Sequence, residues 1–433
     1  MYALVVFILL LDLYAIFWYR GMKRAAWLCF GLLFLNDTIR IHPFDSYTLQ
    51  CTFFVLSLIR HGEFKREWRN FPLKFITFVL LVVHVLVVLA DSRVTGALSM
   101  VSRVFNNFVP RFLALFVGFS MADSLISWRK TSSFLVKSFV IMGIYGFITY
   151  LLQANPYDDL LNTVFAGQEG IWSNVQFRGY RVLSTLSNPI VYGFIMVVAA
   201  SFVYTEKASV GRNCFWPFLT IVICNAFLAN SRTGIVAGVI LIIIYAILEY
   251  GISRRLLTYI SLSCVLFGVL YQIFPFVQDV AESVWDIYET GGENSGGSDV
   301  QLKERQLEMS LLLFFKHPYL GNGFNYFQEV LMQKDAASVA LLAGLEGYGY
   351  KLLVEEGGLM IAAVLVFFLR LTCVFVKQRF KEHNSYSNLG IAWTFSFLFF
   401  IFMTGTYGGV FTLCMVFIGM MLKCSLAHYK KEL

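Results

Sequence analysis

Four ionisable residues stand in or beside apolar runs: Arg181 in FRGYRVLSTLSNPIVYG, Arg232 in LANSRTGIVAG, Arg305 in KERQLEM and Glu346 in LEGYGY. A charge at the edge of an apolar segment is costly, so each needs either a local partner or a function. Guanidinium groups suit phosphate oxygens, because their donor fork is planar and permanently charged. A carboxylate among them could take a proton from a hydroxyl nucleophile, provided that burial offsets the pull of the arginines on its pKa. Simpler roles exist for each residue taken alone. Arg232 can snorkel to water from a helix end, and Arg305 can pair with Glu304 or Glu308. Arg181, with Arg178 three residues before it, can anchor on headgroups. Glu346, like Glu355 and Glu356, can sit at a helix N-terminus and favour its dipole.

The elements that position these groups follow from composition. Of 433 residues 58% are hydrophobic, 17% aromatic and only 14% charged, with mean hydropathy +0.68. That balance excludes a soluble globular protein and predicts an all-α, polytopic membrane protein. A helix crossing a hydrocarbon core roughly 30 Å thick needs ~17–25 mostly apolar residues, and by that criterion we count about thirteen segments, within a range of about 12–14. They fall at 2–18, 25–37, 46–59, 75–90, 107–127, 135–153, 187–204, 214–230, 233–251, 256–274, 352–372, 388–404 and 407–422. The first lacks a preceding basic region and a small-residue cleavage site, so we expect it to be retained.

Basic residues follow every odd-numbered segment, from Arg20, Lys23 and Arg24 through Arg129 and Lys130 to Lys430 and Lys431. The positive-inside rule places those loops in the cytoplasm, with the N-terminus outside and the C-terminus inside. The same rule puts Arg181, Arg232, Arg305 and Glu346 together on the outer side. The net charge of +7 is then a girdle facing anionic headgroups and requires no nucleic-acid partner. The eight cysteines lie in or at the ends of apolar segments with no CxxC pair, and read as apolar fillers without disulfide or metal roles.

The chain thus divides into N-terminal spans (1–153), a first outside loop (154–186), central spans (187–274), a large outside loop (275–350) and C-terminal spans (351–433). Long ordered loops are where function is expected. The second has an acidic, glycine-rich tip around 291–299, then an amphipathic helix over 301–316 stopped by HPYLGNGF, where Gly321 and Gly323 allow a tight turn. Several arginines and one carboxylate on the outer leaflet, without a DxD-type acidic cluster for a divalent metal, describe a site for a lipid diphosphate whose attached group moves onto a hydroxyl.

Four stretches in this order carry a resemblance: RVLSTLSNPIVYG, SRTG, RQLEMSLLLFFKHPYLGNGFNYF and EGYGYKLLVEEGGL. They are similar to the arginine, "hPlxGxGxxxF" and "HNxYLxLLxExG" segments of the bacterial O-antigen ligases and repeat-unit polymerases. The resemblance covers roughly residues 175–360 and extends to the rest through the span count alone. It implies a C-type glycosyltransferase-like membrane fold with one large structured outside loop, in the bacterial inner membrane with its active site facing the periplasm. The implied reaction is metal-independent and inverting, needs no cofactor, and moves a glycan from undecaprenyl diphosphate to a sugar hydroxyl. Arg232 and Arg305 would bind the diphosphate and stabilise its growing charge; Arg181 would assist that binding or position the sugar, with Arg178 also on the substrate. Glu346 would serve as base, and Tyr348 and His317 would lie on the substrate side. Glu346 stands where the ligases carry a histidine, and this departure favours polymerase over ligase, with a chain-length regulator as a possible further partner. A lipid-linked glycan transporter would need charged or Gly/Pro-broken spans near the midplane, and the segments IVICNAFLAN, IVAGVILIIIYAIL and LLTYISLSCVLFGVL carry no charge there. A structural or adaptor membrane protein is the remaining class; there, none of the four residues matters.

Overall fold

The computed structural model describes residues 1–121, 125–165, 180–273, 300–331, 347–405 and 409–428, with isolated positions between 278 and 333. The chain is helical almost throughout, as its hydropathy requires, because lipid offers no partner to an unpaired backbone amide. In chain order the first elements are α1 (Tyr2–Trp18), α2 (Gly21–Phe34), strands β1 (Arg40–Ile41) and β2 (Phe44–Asp45), α3 (Ser46–Arg60), α4 (Phe64–Asn70), α5 (Lys74–Ala90) and α6 (Ala97–Phe108). A π-helical turn, Val109–Leu113, leads into α7 (Ala114–Ser120), followed by α8 (Leu125–Leu152), α9 (Pro156–Val164), α10 (Pro189–Thr205), α11 (Lys207–Val210), α12 (Arg212–Leu228), α13 (Arg232–Tyr250) and α14 (Arg254–Ile273). Beyond these lie α15 (Val300–Lys316), a π-turn at Phe327–Leu331, α16 (Tyr348–Lys351), a third π-turn at Leu352–Glu356, α17 (Gly357–Glu382), α18 (Ser385–Thr404) and α19 (Val410–His428).

Five helical stretches among the described residues are long and apolar enough to cross a membrane: Trp128–Leu152, Arg232–Tyr250, Tyr348–Glu382, Ser385–Thr404 and Val410–Ala427. The pair α4 and α5 would make a sixth, bent by 103°. Tyr2–Trp18, Pro189–Thr205 and Asn213–Leu228 are apolar but shorter. The chain is therefore a multi-pass helical membrane protein with fewer straight, full-length spans than the hydropathy count predicts. The segment 107–127 illustrates why: its residues are divided between the end of α6, the π-turn and α7, and Pro110 within the turn has no amide to continue an α-ladder. A two-residue antiparallel ribbon, Arg40↔Asp45 and Ile41↔Phe44, also departs from the all-α expectation.

Helix starts are chemically marked. Asp45, Asn155, Asn188, Ser231 and Asn384 each accept a hydrogen bond from a first-turn amide of α3, α9, α10, α13 and α18, supplying the acceptor that those amides otherwise lack. The tightest crossing joins α7 to α19. A Cβ on Gly118 would collide with the Val416 carbonyl, and one on Gly419 with the Leu115 carbonyl, so two glycines let these backbones touch. Phe194 of α10 stacks on Phe400 of α18 with centroids 4.3 Å apart, and Ser396 Oγ donates to the Ala237 carbonyl at 2.6 Å. These contacts fix α13, and with it Arg232, against the central bundle.

Candidate functional site

Arg181 and Arg232 are both placed at the turn between α12 and α13. Val182 N donates to Leu228 O at 3.2 Å, so the segment after residue 180 lies against the end of α12. Arg181 Nε then donates to Ala229 O at 3.3 Å, three residues before Arg232. Both side chains are largely buried, at 5% and 9% exposure. Ser231 caps α13 through Gly234 N at 3.1 Å, which fixes where Arg232 leaves the helix.

The segment carrying Arg181 is stapled on its other side. Thr185 Oγ1 donates to Leu33 O at 2.6 Å, Asn36 Nδ2 to Thr185 O at 3.0 Å, and Ser187 Oγ to Asp37 Oδ1 at 2.7 Å. Burial raises the pKa of Asp37 despite that hydrogen bond. Burial likewise pushes Asp45 up to about 6, against its bonds from Thr48 and with help from Asp37. A carboxyl beside this segment is thus held closer to its neutral form than an exposed one.

Arg305 lies elsewhere, exposed on α15. That helix is fastened by Tyr350 OH, which donates to Lys303 O at 3.2 Å, and by Lys303 Nζ, which donates to Met403 O at 3.5 Å. No hydrogen bond or ion pair among the described residues joins Arg305 to Arg181 or Arg232. His317 is exposed and serves the turn: its amide donates to Phe314 O and its carbonyl accepts from Gly321 N. Tyr348 is 1% exposed, packed edge-on to Phe411 at 5.4 Å, and so offers a ligand no surface in this state. Arg178 and Glu346 lie outside the described residues.

The structure also builds a cluster that sequence reading did not find. The HPYLGNGF turn packs on the π-turn Leu352–Glu356 through backbone bonds. Asn322 N and Nδ2 both donate to Val354 O, at 3.1 and 2.7 Å, and Gly323 N donates to Glu355 O at 3.0 Å. Gly358 N and Leu359 N return bonds to Pro318 O and Tyr319 O. Gly321 has φ +66°, and a Cβ there would collide with the Glu355 carbonyl, so the close approach requires glycine. Two of the motifs quoted above therefore form one unit.

Arginines from the other end of the chain lock this unit. Arg93 grips Asp91 through two bonds of 2.7 and 2.8 Å and reaches Glu329, Asn322 O and Phe324 O. Arg103 donates to both oxygens of Glu329 at 2.8 Å and to Phe324 O at 2.6 Å. Deeper, Arg111 on the first π-turn is hydrogen-bonded to Glu356 and, through Nη2, to Asn107 Oδ1 at 2.9 Å. Its guanidinium lies 5.6 Å from the Tyr348 ring centroid. Glu355 accepts from Phe327 N at 3.1 Å and faces Lys351 at 3.8 Å. The two glutamates close a π-turn at the start of α17, with Glu356 its N-cap residue as the sequence suggested, but Glu356 makes no side-chain cap bond and both work through ion pairs. Arg111 had a readable signal, an arginine inside the apolar run FNNFVPRFLALF, by the same criterion that drew attention to Arg232.

Chemically, the clamp sets four cations, Arg93, Arg103, Arg111 and Lys351, against four carboxylates, Asp91, Glu329, Glu355 and Glu356, and is self-neutralising. At the α12–α13 turn Arg181 and Arg232 stand beside polar backbone, Arg181 on the Ala229 carbonyl and Arg232 next to the Ser231 cap. No family model matches the sequence, and no curated protein matches it.

Proposed function

We propose that the chain is a repeat-unit polymerase of a bacterial surface polysaccharide, of the O-antigen type, acting on the periplasmic side of the inner membrane. The observation that carries this reading is the convergence of Arg181 and Arg232, from segments far apart in sequence, on the single turn between α12 and α13. Two arginines at one turn suit a diphosphate better than a single phosphate. In the proposed reaction a hydroxyl oxygen of the acceptor repeat unit bonds to the anomeric carbon of the donor glycan. The bond from that carbon to the undecaprenyl diphosphate breaks with inversion, and the diphosphate leaves with the bonding pair. Arg181 and Arg232 carry the charge that grows on it, Glu346 takes the hydroxyl proton, and Arg305 joins the site from the outside loop.

Loss of the gene, scored on a glycan gel, tests this reading. A polymerase null leaves a single repeat unit on lipid A core, whereas absence of any glycan there makes the chain a ligase. Complementation with Arg232→Ala, Arg305→Ala and Glu346→Gln follows, and full activity in all three sinks the mechanism.

A further inference from the structure

Between the N-terminal ends of α2 and α8 lies an open cavity of about 670 Å³. Met22 at the start of α2 forms one wall; Arg129, Lys130, Ser133, Phe134 and Lys137 of α8 form the other. Lys130, Ser133, Phe134 and Lys137 recur at the i, i+3, i+4, i+7 spacing of one helix face. By the positive-inside rule this is the cytoplasmic end.

Nearby cations are already engaged. Arg24 donates to Glu63 at 2.7 Å and Arg20 to His61 at 2.7 Å. Among the described residues no carboxylate pairs with Arg129, Lys130 or Lys137, and all three are exposed. Lys137 lies within the membrane-spanning stretch Trp128–Leu152, about 10 Å along the helix from Lys130, where an uncompensated ammonium is costly. Beyond Lys137 the same face continues as exposed Ile141, Ile144 and Ile148. Cations at the head of an apolar stripe match a molecule with an anionic head and a hydrocarbon tail.

We infer that the α2–α8 cavity binds an anionic glycerophospholipid of the cytoplasmic leaflet, its phosphate among Arg129, Lys130 and Lys137 and an acyl chain along Phe134, Ile141, Ile144 and Ile148. The apolar stripe favours a lipid over a soluble anion, which would leave it uncovered. Such basic pockets between spans attract acidic headgroups through fields that decay within a Debye length. The site is independent of the proposed transfer reaction and stands or falls separately from it.

The test uses the full-length protein in phosphatidylcholine nanodiscs titrated with phosphatidylglycerol, retained lipid being read by native mass spectrometry. Lys130→Ser and Lys137→Ser should each weaken retention about fivefold, and the double variant about 25-fold. Lys65→Ser on another basic loop should leave it unchanged, and Lys130→Arg with Lys137→Arg should retain it. Equal retention by the double variant, or equal retention of phosphatidylcholine and phosphatidylglycerol by the unaltered protein, overturns the proposal. Displacement of phosphatidylglycerol by inorganic phosphate would make this a soluble-anion site and overturn its lipid assignment. Should the double variant fail to fold, the unaltered protein still decides: phosphatidylglycerol retention must fall with rising salt, and a flat response counts against the site.

Discussion

Two arginine-rich regions of this protein use the same side chain in opposite ways. In the clamp, Arg93, Arg103 and Arg111 each meet a carboxylate, and their charge is spent on holding the loop turn and the π-turn together. At the α12–α13 turn, Arg181 is anchored through Nε on the neutral carbonyl of Ala229. A carbonyl positions a guanidinium without cancelling its charge, whereas a bidentate carboxylate does both. The clamp cations build the protein, whereas the proposed function assigns Arg181 and Arg232 to an incoming anion, and the two roles make opposite demands on mutation.

The largest expected effect breaks the clamp at its buried end. Arg111→Ala or Glu356→Ala leaves one charge buried without its partner and should cost about 3–5 kcal/mol. Thermal unfolding in detergent checks this, and the apolar pair Arg111→Met with Glu356→Leu should recover most of the loss. Arg232→Ala should do the reverse, with transfer to the acceptor falling about 100-fold, the scale for removing one donor to a developing anion. Its activity should fall by more than any loss of Tm explains. A variant that loses activity only in proportion to its stability would erase the contrast between the regions.

Smaller changes sharpen it. Gly321→Ala forces a side chain against the Glu355 carbonyl at a positive φ and should cost about 1–3 kcal/mol, read as earlier proteolysis within the turn and not as altered substrate affinity. The smallest effect concerns Asp45, beside the segment that carries Arg181. Its folded pKa, raised to about 6 by burial, exceeds the roughly 3.9 of an unfolded aspartate. Between about pH 4 and pH 6 the native state holds more protons than the unfolded one, so Asp45 lowers stability as pH rises through that window. Its cost is fully present above the folded value and absent below the unfolded one. Asp45→Asn should flatten the corresponding slope in Tm against pH.

What the sequence made legible follows from what is local. Hydropathy alone announces a multi-pass helical protein, because the requirement for apolar length is a property of each segment. The amphipathic helix expected over 301–316 is found as α15, Val300–Lys316, since periodicity and the stop at His317–Pro318 are both local. Arg181 and Arg232 were visible because each interrupts an apolar pattern. The clamp was not, for two reasons. Arg93 and Arg103 lie between the apolar segments 75–90 and 107–127, where a charge interrupts no apolar pattern. Arg111 and Glu356 are 245 residues apart, and nothing in a single sequence states that they touch. The π-turns escaped as well, because one extra residue in a helical turn leaves no mark on composition.

That separation has a consequence in time. At a synthesis rate of about 5–20 residues per second, Glu356 emerges roughly 12–50 s after Arg111. Throughout that interval Arg111 lacks the carboxylate that it meets in the finished fold. The clamp is therefore also a completion signal: only a chain translated past residue 356 can neutralise the charge in α6–α7. A chain stopped before residue 356 would keep that buried charge without its carboxylate.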